Sequence, residues 1–256
     1  MPEAVGAALE RIFCAEQSDD EALAQVAEPA ILAAAMDALR ERGCLVPAGQ
    51  AAAAAPPDGR VAVGGEGIVA GHLSDLLREG AVRVVRFPSD ARDDAFEGID
   101  VLVACAGWLP DADWVRLDER AEAHGVAWHR VHREGGRWFL GPLTIAGRTA
   151  TYRDTRARRL AAAHHPDELE SAWAALDRHG RRPPPDSPTG AVAAIVAGLL
   201  AADVMALLSG AAPPSERHQI EFDPATLELR RHPVLPLPHG IATMDATART
   251  WNRAAR

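Results

Sequence analysis

A chain of 256 residues, 48% hydrophobic and 25% charged, can bury a core as one large or two modest domains. Its 36 acidic residues outweigh 27 basic ones, and the formal net charge of −9 opposes phosphate backbones, which excludes general nucleic-acid binding. All the basic residues are arginine, and Cys14, Cys44 and Cys105 form no CxxC pair, so a zinc half-site or redox motif is excluded and a reducing cytoplasm is expected.

Val5, Ala8, Leu9, Ile12 and Phe13 recur at helical spacing and predict a first helix, with acids and an early Arg11 in place of a signal-peptide start. Ser18 stands three residues before Glu21, a capping box that opens a second helix. Pro29 suits the first turn of a third, running to Arg42; Gly43 ends it, and Cys44-Leu45-Val46 reads as a brief strand. Three short helices closing into a strand resemble the helical part of a winged-helix module, a shape used for leader-peptide recognition; a plain helical cap fits equally. This module is assigned to residues 1–48, and the alanine run between prolines and glycine makes 49–59 a linker.

From Arg60 the pattern becomes strand, glycine turn, amphipathic helix, strand, which is a βαβ unit. A third strand is expected at Ile99 to Ala104, a helix capped by Asp111 or Asp113 up to His124, and then the hairpin VAWHRVHREGGRWFLGPLTI. After an arginine-rich stretch come a helix around Asp167 to His179, the proline-rich break GRRPPPDSPTG, the apolar segment Gly190 to Leu208, and strands at Gln219 to Phe222 and Thr226 to Arg231. Gly190 to Leu208 is long enough to span a bilayer, but the central Asp203 costs a spanning helix about 2.5 kcal/mol or more, so a core helix and no membrane partner is predicted. Residues 60–256 therefore form one α/β domain with a mainly parallel sheet.

Gly65-Glu66-Gly67-Ile68-Val69-Ala70 fits G-x-G-x-x-G/A at a strand-to-helix turn, where backbone can approach a phosphate at a helix N-terminus. Asp90, beyond the second strand, occupies the place of a ribose-binding carboxylate. Gly65, Gly67 and Asp90 are thus the candidate nucleotide contacts. Glu66 repels a pyrophosphate, however, and the glycines equally serve close strand-to-helix packing.

The stretches VAVGGEGIVAGHL, DVLVACAGWLPDADWVRLDERAEAHGVAWHRV and GPLTIAGRTATYRDTRARRLA resemble the ThiF-like, ubiquitin-activating-type adenylyltransferase fold, in the divergent branch that partners YcaO cyclodehydratases in azole and thiopeptide biosynthesis. The third stretch is similar to that branch's G-P-L-x-x-P-G-x-T-A-C-Y-x-C-x-x-x-R. Its cysteines fall here on Thr151 and Asp154, so the tetrathiolate zinc site is not expected, and scattered histidines (His164, His165, His218, His232 and His239) do not replace it. The chain has no lysine and a single asparagine, Asn252, so the family's ATP contacts cannot be assembled residue by residue.

The resemblance implies a Rossmann-like ThiF-type domain that binds a ribosomal precursor peptide for a YcaO enzyme without catalysis of its own and with no resident cofactor. An ATP-dependent adenylyltransferase or a nucleotide-dependent oxidoreductase on the Gly65–Gly67 turn is the alternative, and a homodimer is allowed. Peptide contacts are assigned to Leu32, Met36, Leu39 and Leu45 around the third helix and to Arg148, Arg153 and Arg156, because arginine pairs specifically with carboxylates. The arginines read equally as a solvated helix face. Cys105 reads as a buried small hydrophobe rather than a nucleophile, and Asp111, Asp113 and Asp118 as capping, solvated acids.

Overall fold

The structure, a computed structural model, describes residues 3–13, 18–45, 59–65, 67–89, 91–179 and 188–238. Two compact units divide the chain, Met1–Ala55 and Pro56–Arg256. In the first, α1 (Glu3–Phe13), α2 (Asp19–Gln25) and α3 (Pro29–Glu41) enclose Val5, Ala8, Leu9, Ala22, Leu32 and Met36. Ser18 and Glu21 form the capping box, the Glu21 amide donating to Ser18 Oγ and the Ser18 amide to Glu21 Oε2 at 3.0 Å. Gly43, at φ +70°, turns the chain out of α3, and the amides of Cys44 and Leu45 fold back onto the Leu39 carbonyl. These two residues therefore cap α3 instead of forming the expected strand, and Val46 lies outside the described residues. Among the described residues this unit contains helices alone.

The second unit is built on one seven-stranded sheet. Its elements in chain order are β1 (Arg60–Gly64), α4 (Ile68–Glu79), β2 (Arg83–Phe87), a 3-10 turn (Asp93–Phe96), β3 (Val101–Cys105), α5 (Asp111–Ala123), β4 (Ala127–Glu134), β5 (Arg137–Leu140), α6 (Tyr152–Ala162), α7 (Pro166–His179), α8 (Gly190–Leu208), β6 (His218–Asp223) and β7 (Glu228–Pro233). The strand order is β2-β1-β3-β4-β5-β6-β7. β2, β1, β3 and β4 pair in parallel; β5, β6 and β7 add on antiparallel, so five of the seven strands run one way. The sheet is the Rossmann-like α/β one predicted, with an antiparallel extension formed by the expected hairpin and the two last strands.

Period-two alternation sorts the strand residues between two layers. Val61, Val63, Val101, Val103 and Val131 join Leu73 and Leu77 of α4 and Ala193, Val196, Ala197, Leu200 and Val204 of α8 on one face. Ala62, Leu102, Ala104 and Trp128 meet Trp114 of α5, Tyr152 of α6 and Trp173 of α7 on the other. All five residues of β3 are buried, as a central parallel strand covered on both faces requires. α8 is the one described helix long and apolar enough to cross a membrane, and it lies instead along the sheet with its inner face in the core.

Candidate functional site

The chain runs from β1 outward to β2 and then back across β1 to β3, so the loops after β1 and β3 part from each other there. In open α/β sheets this switch point at the carboxyl ends of the strands is where ligands sit. A cleft of ≈160 Å³ lies there, lined by Gly65, Arg86, Phe87, Ser89, Cys105, Ala106, Gly107 and Trp108. Small-molecule sites run to about 300–1,000 Å³, so this one is small.

Gly65 and Gly67 have φ of +100° and +113°, and Gly67 is the N-cap of α4. Their surroundings differ. A Cβ on Gly65 would stand 2.0 Å from the Cys105 carbonyl oxygen, whereas one on Gly67 would meet nothing within 4 Å. The first glycine is thus required by the close approach of the β3 loop, and the second leaves the helix N-terminus open. Arg86 is the one cation in the cleft's described lining, and Cys105 is buried, its thiol pushed up to about 12 by that burial, which suits a packing residue and not a nucleophile. Glu66 and Asp90 lie outside the described residues. The described lining supplies no carboxylate for a ribose and no second cation for a triphosphate, so no chemical step is assigned to a nucleotide here.

Neither a family model nor a curated protein matches the sequence. Solved structures do match. The microcin C7 biosynthetic enzyme MccB in complex with N-formylated MccA superposes with a TM-score of 0.62 at 13% identity, covering 87% of this chain and 85% of that one. E. coli MccB with AMPCPP and SeMet MccA gives 0.61 at 15%, covering 87% and 84%. The heterocyclase TruD gives 0.57 at 17%, covering 89% of this chain but 36% of that one. The fold is the ThiF type. The chain spans about a third of the heterocyclase's length and most of MccB's.

Within this ThiF-type fold, the two positions that carry cysteine in the related pattern have been given to another task. Thr151 and Asp154 form a capping box at the start of α6, the Asp154 amide donating to Thr151 Oγ1 at 3.0 Å and the Thr151 amide to Asp154 Oδ2 at 2.9 Å. Each side chain is spent on the other residue's amide, neither is a thiolate, and among the described residues no cluster of His, Cys, Asp or Glu could hold a metal. The residues do not fit a structural zinc ion, and the turn that a metal would pin is pinned by hydrogen bonds.

The assigned arginines are drawn into the protein's own ion pairs. Arg148 meets Glu216 at 2.9 Å, Arg153 meets Glu119, and Arg156 binds Asp111 and Glu170, both at 2.9 Å. These partners sit on other elements; Arg148 and Arg153 stay half-exposed beside theirs, and Arg156 is largely buried. Leu32 and Met36 are 0% and 1% exposed and hold α3 to its neighbours, while Leu39 and Leu45 pack against the same core half-buried. A peptide touching this helix would meet its outer side, where Ile31 is exposed, and not the inward stripe chosen from periodicity.

Two acids predicted to be solvated are not. Asp118 is buried and accepts from Trp128 Nε1 at 3.0 Å and from the amides of Tyr152 and Arg153. Asp111 accepts the Tyr152 hydroxyl at 2.5 Å and Arg156. Only Asp113 behaves as the exposed helix-start acid foreseen, pairing with Arg116. Arg130, unsuspected in the sequence, is 1% exposed, reaches the hydroxyls of Thr144 and Thr155 at 3.0 Å, and lies over the rings of Trp128 and Tyr152. Ser215, His129 and Asp203 also converge, but both partners address the same imidazole nitrogen, Nε2, while Nδ1 accepts the Arg130 amide. Catalysis by such a trio needs the acid on one nitrogen and the hydroxyl on the other, and access to substrate; this buried set has neither.

Proposed function

We propose that this chain captures a ribosomally made precursor peptide and presents it to a separate YcaO-type cyclodehydratase in azoline-forming natural-product biosynthesis, with no chemistry of its own. One observation carries the proposal: the chain aligns over most of its length with MccB bound to the peptide MccA and with only about a third of the heterocyclase TruD. The small switch-point cleft and the Cys105 carbonyl closing on Gly65 favour peptide holding over nucleotide chemistry. The cytoplasm is the compartment proposed for it.

The test is fluorescence anisotropy of labelled cysteine- and serine-rich precursor peptides that YcaO enzymes cyclise, titrated with the full chain. Saturable binding below about 100 μM, together with ring formation by the YcaO enzyme only when the chain is added, is the expected result. Absence of binding, or full YcaO activity without the chain, sinks the proposal. The open N-terminus of α4 at Gly67 favours a second reading, a nucleotide-using enzyme. Calorimetry with ATP and with NAD(P) decides for that reading if either binds and Gly67→Asp abolishes the heat.

A further inference from the structure

The sheet has two edges, β2 and β7. β7 is the more exposed, all six of its residues open to solvent. The Val234 amide donates to the Arg217 carbonyl at 2.8 Å, and these residues continue the β6–β7 register. Hydrogen-bonded and non-bonded pairs alternate along an antiparallel ladder. Glu228, Arg230 and His232 therefore turn their backbone groups to β6, and Leu229 and Arg231 turn theirs outward, followed by Pro233, which has no N–H to offer.

Three further features gather on this edge. The three most exposed large apolar side chains among the described residues are Leu227 (68%), Leu235 (55%) and Leu229 (50%), at the start of β7, just past its end and within it. Leu227 has φ +58°, a left-handed conformation that Gly or Asn ordinarily takes. Arg231 meets no carboxylate among the described residues, its guanidinium donating to the Pro214 carbonyl and lying 3.3 Å from His218 Nδ1. Burial and the nearby Arg231 charge together hold His218 below the usual histidine range. On a chain of net charge −9, this edge offers, among the described residues, unpaired outward backbone, apolar anchors and a cation.

We infer that β7 is a docking strand for an extended peptide segment bearing an acidic and an apolar residue two positions apart. The segment adds an eighth strand through the N–H and C=O groups of Leu229 and Arg231, the β-augmentation mode. Leu229 and Arg231 share one face, so an antiparallel partner reads acid-x-apolar from its amino end, the acid beside Arg231 and the apolar residue beside Leu229. A second copy of the chain fits poorly. The self-pairings that overlap most of the strand, centred on Arg230 or Arg231, set a guanidinium against its own copy, and like charges directly opposite destabilise a sheet. This placement rests on the peptide-capture reading above and says where on the chain the peptide lies.

The probe is a fluorescein-labelled octapeptide alternating glutamate and valine, titrated into the full chain, with a lysine-for-glutamate version as its control. The glutamate peptide binds and the lysine peptide binds about tenfold or more weakly. Arg231→Glu reverses that preference, and N-methylation of alternate peptide amides abolishes binding without any change to the protein. Leu227→Gly weakens binding severalfold while raising Tm, since glycine takes the left-handed turn freely. Failure of the glutamate peptide to bind, or affinity unchanged in both Arg231→Glu and Leu227→Gly, overturns the site. If the precursor peptide of the anisotropy test then still binds the Arg231→Glu chain at full affinity, peptide capture stands and only its placement on β7 is lost.

Discussion

A Cβ added to Gly65 would stand 2.0 Å from the backbone oxygen of Cys105 and 2.9 Å from its carbonyl carbon. No side chain can give way there, because the obstacle is the main chain of β3's exit. Gly65→Ala therefore costs about 3 kcal/mol or more, from a forced backbone shift together with a φ of +100°. Gly67→Ala carries only the backbone penalty, about 1–3 kcal/mol, since nothing lies within 4 Å. Urea denaturation of the two variants should give that order. Equal and negligible losses would mean that the glycines serve a ligand and not the packing.

Asp203 is the single charge within α8, and its carboxylate sits 2.7 Å from His129 Nε2 and 3.1 Å from the Ser215 amide. Burial pushes this carboxyl up, but hydrogen bonds from His129 and Ser215 outweigh it and leave it below the ordinary aspartate value. A depressed carboxyl contributes stability that is full above the unfolded value of about 3.9 and is lost as pH falls through the folded one. Asp203→Ala strands the imidazole and the amide in the core and costs about 3–5 kcal/mol at neutral pH. Its thermal unfolding should also lose part of the wild-type decline below about pH 4.

His132 gives the same sign of dependence in a higher pH window. Buried against the rings of Trp114 and Phe139, it is held below the usual histidine range by desolvation, which outweighs the pull of Glu134 at 2.6 Å and is reinforced by Arg159 and Arg130. The unfolded chain therefore binds the proton more readily, and stability falls as pH drops through about 6.5. His132→Phe replaces the ring by one that fits the same aromatic box and removes the unbonded Nδ1. Tm measured from pH 8 to 5 should flatten in this variant. A slope equal to wild type would place the proton elsewhere.

Local patterns gave away local structure. The ends of α8 are legible at Gly190 and Leu208, and the Ser18–Glu21 capping box is read from four residues, since caps and periodicity act over one or two turns. What stayed hidden depends on partners far along the chain. Asp203 reads as a charge unfit for a membrane, but nothing nearby points to His129, 74 residues away. Asp111 and Asp118 look like ordinary helix-start acids until α6 delivers Tyr152 and Arg153 onto them. Leu32 and Met36 are visible as a helical stripe, but whether a stripe faces a core or a ligand is decided by packing, and here it faces the core.

The capping box at Thr151 makes the start of α6 independent of any metal. If Thr151 and Asp154 do the work that a metal-bound cysteine pair would do, the fold must be indifferent to chelators, because no metal contributes to its free energy. Prolonged EDTA treatment should leave Tm within about 1 °C, whereas a zinc-dependent fold loses its cooperative transition. Thr151→Ala removes the acceptor for the Asp154 amide and costs about 1 kcal/mol. Thr151→Ser keeps the hydroxyl and should restore nearly all of it. A large drop in Tm on chelation, or zinc recovered from the purified chain in equimolar amount, would show that some other ligand set holds a metal.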